Sequence, residues 1–350
     1  MGGEKVLRIK YLDILKAIAI LAVIVIHVAG ESWYICLHEE SFDLFKWQVL
    51  LVWLGLAKCG VPIFIMVSGA LLLKKDYTVC DIAKRIMIIV GSIILMATVG
   101  EMTNIFGGNV QSDNPILDIA SQVIHGTVPT YGWYLYTLIG FYLALPFFKA
   151  FVNGANEDQY IYTLILIFAF SSIIKFVQMF DADNSMGDLV EMLDMGIGYL
   201  SGFMGYFLMG YYMENHKMRV PEWIIYVGGI IGIGVSIVIS LGNPARMEDY
   251  ISYPMPGVVI YSVSMYMIYK KLAQRLSEMP VGKFLADLGS KTLGIYMFHM
   301  SLIKVLEYYG VMAKNYNVIL SVPVMSLVIL IVMYMIVSAL KLIPGLRKLI

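Results

Sequence analysis

Ten stretches of about 20 mostly apolar residues follow one another along this chain, separated by short polar breaks. A hydrocarbon layer about 30 Å thick is crossed by one helix of that length. Inside it no water is available, so each backbone donor and acceptor must be paired within the segment. The expected spans are 11–30, 47–73, 84–103, 131–152, 159–180, 193–213, 222–241, 255–272, 291–309 and 318–342. Breaks such as "NGANEDQ" and "DADNSMGD" divide them. Composition agrees: 14% of residues are charged, where a soluble domain carries about 25%. The fold class read from this pattern is an all-α integral membrane protein, a bundle of about ten transmembrane helices in one domain over residues 1–350. The widest gap, 104–130, contains "NPILDIASQVIHG", which reads as a short interfacial helix.

Charge sets the orientation. With the N-terminus inside and strict alternation, 19 of the 25 basic residues fall on the inner side. That excess is what the positive-inside rule requires, and both termini are then expected in the cytoplasm. The first apolar run is too long for a signal peptide, and no small-residue cleavage site follows it. A multi-pass protein of the plasma membrane, of the bacterial cytoplasmic type, is expected, with the lipid bilayer as its first partner. Cys36, Cys59 and Cys80 fall in an outer loop, a span and an inner loop, so free thiols are expected. The five histidines show no metal-ligand spacing, and neither a metal nor a nucleic-acid partner is expected.

An ionisable residue within a span costs roughly 2.5–3.5 kcal/mol to insert and normally faces the bundle interior or a wet cavity. The first span, "YLDILKAIAILAVIVIHV", holds Asp13, Lys16 and His27. Lys16 and His27 are eleven residues apart, which places them on one helical stripe about 16 Å apart. His27 reads either as a hydrogen-bonded packing residue or as a proton carrier, because an imidazole titrates near neutrality. Lys16 and Asp13 read either as a snorkelling ion pair or as a cation aimed at an anionic ligand. Lys58 lies mid-span in "WLGLAKCGVPIFIMVSGALLL". Pro62 invites a kink beside it, and Ser68 can return its hydroxyl to the loosened backbone. Lys58 reads as a cavity-facing cation, with Glu101 as an alternative partner. His299, in "TLGIYMFHMSL", reads equally as a packing residue near Tyr296 or as a site residue. Trp133, Tyr134 and Tyr136 read as interfacial belt aromatics.

These residues, in this order, resemble the membrane-bound acyltransferase-3 superfamily, and most of all its members that O-acetylate surface polysaccharides. The resemblance rests on "YLDILK…VIVIH" (Asp13, Lys16, His27), "KCGVPIFIMVSGALL" (Lys58, Pro62, Ser68), "AKRIMIIV" (Lys84, Arg85), the segment from Trp133 to Pro146, and "LGIYMFH" (Tyr296, His299). It departs from the family pattern at Lys16 and Lys58, where arginine is usual, and at Ile88 and Ala70. Lysine keeps the charge but loses the planar fork that grips phosphate bidentately.

The resemblance implies an acyl donor, acetyl-CoA or another acyl-CoA, and an acceptor hydroxyl on a glycan or a small molecule. It implies catalytic roles for His27, Lys58 and Asp13, with His27 as general base. Donor binding falls to Lys16, Lys84 and Arg85, and substrate contacts to Trp133, Tyr296, His299 and Ser68. A small-solute transporter, for example of a serine-like molecule, is the alternative that keeps the same membrane fold without acyl chemistry.

Overall fold

The structure is a computed structural model that describes residues 10–38, 42–108, 114–128, 131–180, 203–243 and 247–350. The described residues are helical throughout, with no strand among them. The helices are α1 (Lys10–His38), α2 (Leu44–Ala57), α3 (Gly60–Leu72), α4 (Val79–Phe106), α5 (Pro115–His125), α6 (Trp133–Gly154) and α7 (Glu157–Phe180). They continue with α8 (Phe203–Asn215), α9 (Glu222–Gly242), α10 (Met247–Tyr250), α11 (Pro256–Glu278), α12 (Val281–Gly289), α13 (Thr292–Tyr308) and α14 (Val318–Leu340).

Each expected span coincides with a helix over its described residues, the start of the 193–213 span and the acidic 181–194 loop lying outside them. Six segments are long and apolar enough to cross a membrane: α1, α2 with α3, α4, α6, α9 and α14. The other four are helical without meeting that test among the described residues; α13, for example, has 17 residues. Two local predictions are borne out in detail. The segment at 115–125 is a helix, started by Asn114 accepting the Leu117 amide with Pro115 in the first turn, and stopped by Gly126 at φ 66°. Proline fits a first turn because its missing donor is an orphan there anyway, and glycine takes the left-handed stop without strain. The second span breaks at Lys58–Cys59 into α2 and α3, because Pro62 has no amide to give the Lys58 carbonyl four residues back.

α1 is the hub. It packs on α2, α3, α11, α12, α13 and α14, and 67% of its most apolar window is buried. For α2 with α3 the share is 72%, against 28% for α4, α6 and α14. Helices apolar all round belong at the centre of a bundle, whereas outer helices keep an apolar face for lipid. The tightest crossing joins α3 to α8. A β-carbon on Gly69 would sit 1.8 Å from the Phe207 carbonyl oxygen, and one on Gly210 would sit 1.9 Å from the Met66 carbonyl oxygen. Only glycine lets two helix backbones approach so closely, the small-residue packing usual where no hydrophobic effect drives helices together.

Cross-helix polar contacts pin the two ends of the bundle. At the end that carries Lys16, Lys149 Nζ bonds the Leu73 carbonyl at 2.9 Å and pairs with Asp76, and Lys341 Nζ bonds the Ser290 carbonyl at 2.9 Å. There too the Glu214 carboxylate, 3% exposed, accepts from Lys270 at 2.8 Å, Tyr266 at 2.9 Å and Tyr11. At the opposite end Lys304 joins Glu31 at 2.7 Å, and Gln122 donates to the buried Glu101 at 3.1 Å. We therefore expect Glu214→Ala to destabilise the bundle by about 2–3 kcal/mol, because it removes a charged acceptor shared by three donors and leaves the part-buried Lys270 ammonium only the Met213 carbonyl. Tyr266→Phe, which removes one neutral donor, should cost nearer 1 kcal/mol. Thermal unfolding of the two variants in detergent checks the order; equal midpoints would contradict it. Cys36 and Cys59 are buried free thiols and Cys80 an exposed one.

Candidate active site

α1 and α13 stand side by side and run in the same direction, so their polar residues meet level by level. Lys16 and Thr292 line one cavity at the basic end. His27 meets His299 in the middle, ring centroids 5.1 Å apart. Glu31 meets Lys304 at the far end. The spacings differ, eleven and four residues on α1 against seven and five on α13, so at about 1.5 Å rise per residue the levels match closely only around the histidines and above them.

The first cavity, about 220 Å³, starts at Lys16, Gly289 and Ser290 and reaches Val23, Tyr134 and Tyr296. Ser68 lines it too, its hydroxyl bonded to the Phe64 carbonyl at 2.9 Å, the backbone return expected of it. The second cavity, about 410 Å³, is lined by Glu31, Asn104, Gln122, Tyr131, Ser301 and Lys304, among others. The histidine pair lies between them. Val23 is one turn below His27 and Glu31 one turn above it. The Tyr131 ring, from the second cavity, lies 6.0 Å from His27 and 5.6 Å from His299. The Tyr296 ring, from the first, lies 6.0 Å from His299. Tyr296 donates its hydroxyl to the Tyr131 carbonyl and so closes the first cavity beneath the pair. The passage from the basic rim therefore ends one turn short of His27, which is itself half-buried.

His299 is fully buried. Its Nδ1 lies 2.7 Å from the Tyr296 carbonyl and 3.2 Å from the Ile295 carbonyl. A carbonyl can only accept, so that nitrogen carries the proton and Nε2 presents a bare lone pair. Nε2 has no hydrogen-bond partner among the described residues. A buried acceptor left unmatched is costly and marks a place where a proton or ligand is expected. Lys58, at the break between α2 and α3, has its ammonium 5.2 Å from the centre of the Tyr253 ring.

The remaining expected site residues scatter. Asp13 is buried and holds Lys16 at 2.6 Å. It lies fourteen residues below His27 on α1, about 21 Å along the axis, and so supports the cavity mouth rather than the reacting centre. Lys84 and Arg85 are exposed; Arg85 lies over the Tyr77 ring at 5.0 Å and donates to Tyr142 at 3.4 Å, one turn beyond Leu138 on α6, and neither cation lines the Lys16 cavity itself. Trp133 stacks on Phe203 at 4.8 Å. Tyr134 corrects the belt assignment, for it lines the first cavity; Tyr136 donates to the Val123 carbonyl at 3.0 Å, on the short helix at 115–125. Helix rotation turned the Tyr134 ring inward, and linear order does not show rotation. The reading by motif missed Tyr131, Glu31 and Lys304. The available signal was the eleven-residue and four-residue spacing that puts Glu31 on the His27 stripe.

Searches of curated proteins and of solved structures return no significant match. A family model described as an acyltransferase domain matches residues 9–340, which takes in every element from α1 to α14. A match over nearly the whole chain, on a bundle whose paired histidines stand between a basic cavity and a polar one, shows that this protein belongs to the acyltransferase-3 family of membrane acyltransferases.

Proposed function

We propose that the protein is an O-acyltransferase of the plasma membrane that moves an acyl group from acyl-CoA to an acceptor hydroxyl, with His27 as general base. One observation carries this reading: along α1 and α13 the histidine pair stands between a cavity that holds Lys16 and one that holds Glu31 and Lys304. In this reading ten helices cross the bilayer and both termini face the cytoplasm.

The donor enters from the basic, cytoplasmic end. Lys16 and the first amides of α13, at Thr292, supply positive charge at the mouth of the first cavity, and a helix N-terminus favours phosphate. Lys84 and Arg85, outside that mouth, attract the anion at longer range. The acyl thioester lies along the apolar wall formed by Val23, Val61 and Leu138, and Tyr296 swings aside to admit its carbonyl to the histidines. His27 takes the acceptor's hydroxyl proton as the oxygen attacks the thioester carbon. Lys58 stabilises the negative charge on the carbonyl oxygen. The carbon–sulfur bond then breaks, and the imidazolium returns the proton to the departing thiolate, leaving an ester and free CoA. The bare Nε2 of His299 is the acceptor that steadies the proton on His27; a modest ring rotation brings the two within hydrogen-bond reach.

Purified protein in proteoliposomes, given acyl-CoA and a hydroxyl acceptor, is expected to release free CoA in step with acylated acceptor. Uptake of a small solute without any CoA release would overturn the reading in favour of transport. Lys16→Ala should raise the acyl-CoA KM about tenfold with little change in kcat, since it removes one charge-assisted contact to the donor. An unchanged KM would remove Lys16 from the donor site.

A further inference from the structure

Beyond α14 the chain turns back onto the bundle at its basic end. Lys341 ties it to the carbonyl of Ser290, a lining residue of the first cavity, at 2.9 Å. Residues 346–350 then pack against α4 and α13. Ser92 on α4 donates to the Leu349 carbonyl at 2.6 Å. Gly91 leaves room for the Leu349 side chain, and Gly294 on α13 leaves room for Ile350: a β-carbon would meet the first at 2.8 Å and the second at 3.1 Å. Ile350 is 6% exposed. The outward side of this segment is different. Leu342 is 82% exposed and Ile343 50%, and Arg347 and Lys348 are exposed as well. Four lysines of the basic end are matched by carboxylates: Lys16 by Asp13, Lys149 by Asp76, Lys270 by Glu214 and Lys291 by Asp287. Arg347 and Lys348 have no side-chain partner among the described residues, and no acidic residue follows Glu307 in the sequence.

We propose that Lys341–Ile350 is a strap seated by anionic phospholipid: Leu342 and Ile343 enter the acyl region, and Arg347 and Lys348 hold headgroup phosphate. Exposed aliphatic side chains next to unmatched cations are what a segment lying in a lipid interface requires. In the orientation proposed above, the basic end meets the cytoplasmic leaflet, which carries the anionic lipid. Attraction to such a surface is worth roughly fivefold per cation. The inner side of the strap joins α4 to α13, so lipid that seats it also steadies the first turn of α13 at the rim of the first cavity. Lipid seating of the strap is independent of acyl transfer.

The test is hydrogen exchange of the 341–350 segment, with the whole protein in nanodiscs of phosphatidylcholine alone or of an equal mixture with phosphatidylglycerol. The amides of Arg347, Leu349 and Ile350 are bonded to the Ile343 and Leu346 carbonyls, so their exchange reports opening of the strap. Exchange is expected to be about tenfold slower in the mixed discs, from two cations near an anionic surface. Arg347→Gln together with Lys348→Gln, both exposed and away from the packed side, is expected to remove the difference. Equal rates in the two lipids, or a lipid effect that survives the double variant, overturns the proposal. Inorganic phosphate or CoA added to the neutral discs is expected to change nothing. Slowing by either to the level of the mixed discs overturns the lipid assignment in favour of a soluble phosphate ligand. Ser92→Ala is expected to speed exchange about fivefold in the mixed discs, the loss of one net hydrogen bond. An unchanged rate in that variant overturns the seating of the strap on α4.

Discussion

His27→Ala is expected to lower acyl transfer by about 10²–10⁴-fold, the usual worth of a general base, while the bundle stays folded. The side chain is half-buried and lies beside the Tyr131 and His299 rings, so its loss opens a space next to those rings. Initial rates of labelled acyl transfer in proteoliposomes, set beside the thermal midpoint of the same preparation, check both halves of this expectation. A rate within about threefold of the parent enzyme would remove His27 from the chemistry. The neighbouring ring adds a sharper measurement. If the bare Nε2 of His299 serves the proton held by His27, the two residues act as one unit, and effects within a unit are not additive. His299→Gln is expected to cost at least tenfold, and the double variant to fall no lower than His27→Ala alone. Multiplying effects would show instead that His299 works independently of His27.

The second large effect belongs to the α3–α8 crossing. Gly210→Ala forces a methyl group to within 1.9 Å of the Met66 carbonyl oxygen, and Gly69→Ala forces one to within 1.8 Å of that of Phe207. Backbone, unlike a flexible side-chain tip, has no alternative rotamer to adopt, so the helices must move apart. We expect each variant to lose about 3 kcal/mol or more, beyond the usual 1–3 kcal/mol of overpacking. Cys59, buried and one residue ahead of α3, gives a direct readout: a thiol-reactive fluorophore should label it at a lower temperature in both variants. Gly140→Ala and Gly234→Ala are the controls, since a β-carbon at either meets nothing within 4 Å. Labelling curves that coincide across all four variants would show that the crossing tolerates separation.

The sites differ in how they could be read. The helices, the break at Pro62 and the short helix closed by Gly126 follow from local rules, because hydrophobic run length, a missing amide and a left-handed stop act within a few residues of their cause. The Lys16–His27 stripe is likewise a property of one helix. The Asp13–Lys16 ion pair is legible too, one of the two readings offered for these residues, because its partners lie three apart on one helix. Arg85 is a different case: it takes Tyr77 and, from α6, Tyr142. Which neighbour a side chain takes on another helix depends on how adjacent helices are rotated, and that information is spread over the whole interface.

The sequence alone determined that this chain lives in a bilayer as a helical bundle, and that one imidazole stands above one ammonium on its first helix. These follow from period and composition, since desolvation acts on every residue in the same way. Only the tertiary structure decided that α13 packs against α1, and so that His27 and His299 meet between two cavities. That meeting joins residues 272 positions apart, and no local preference fixes it; it is settled by the packing of six helices around α1.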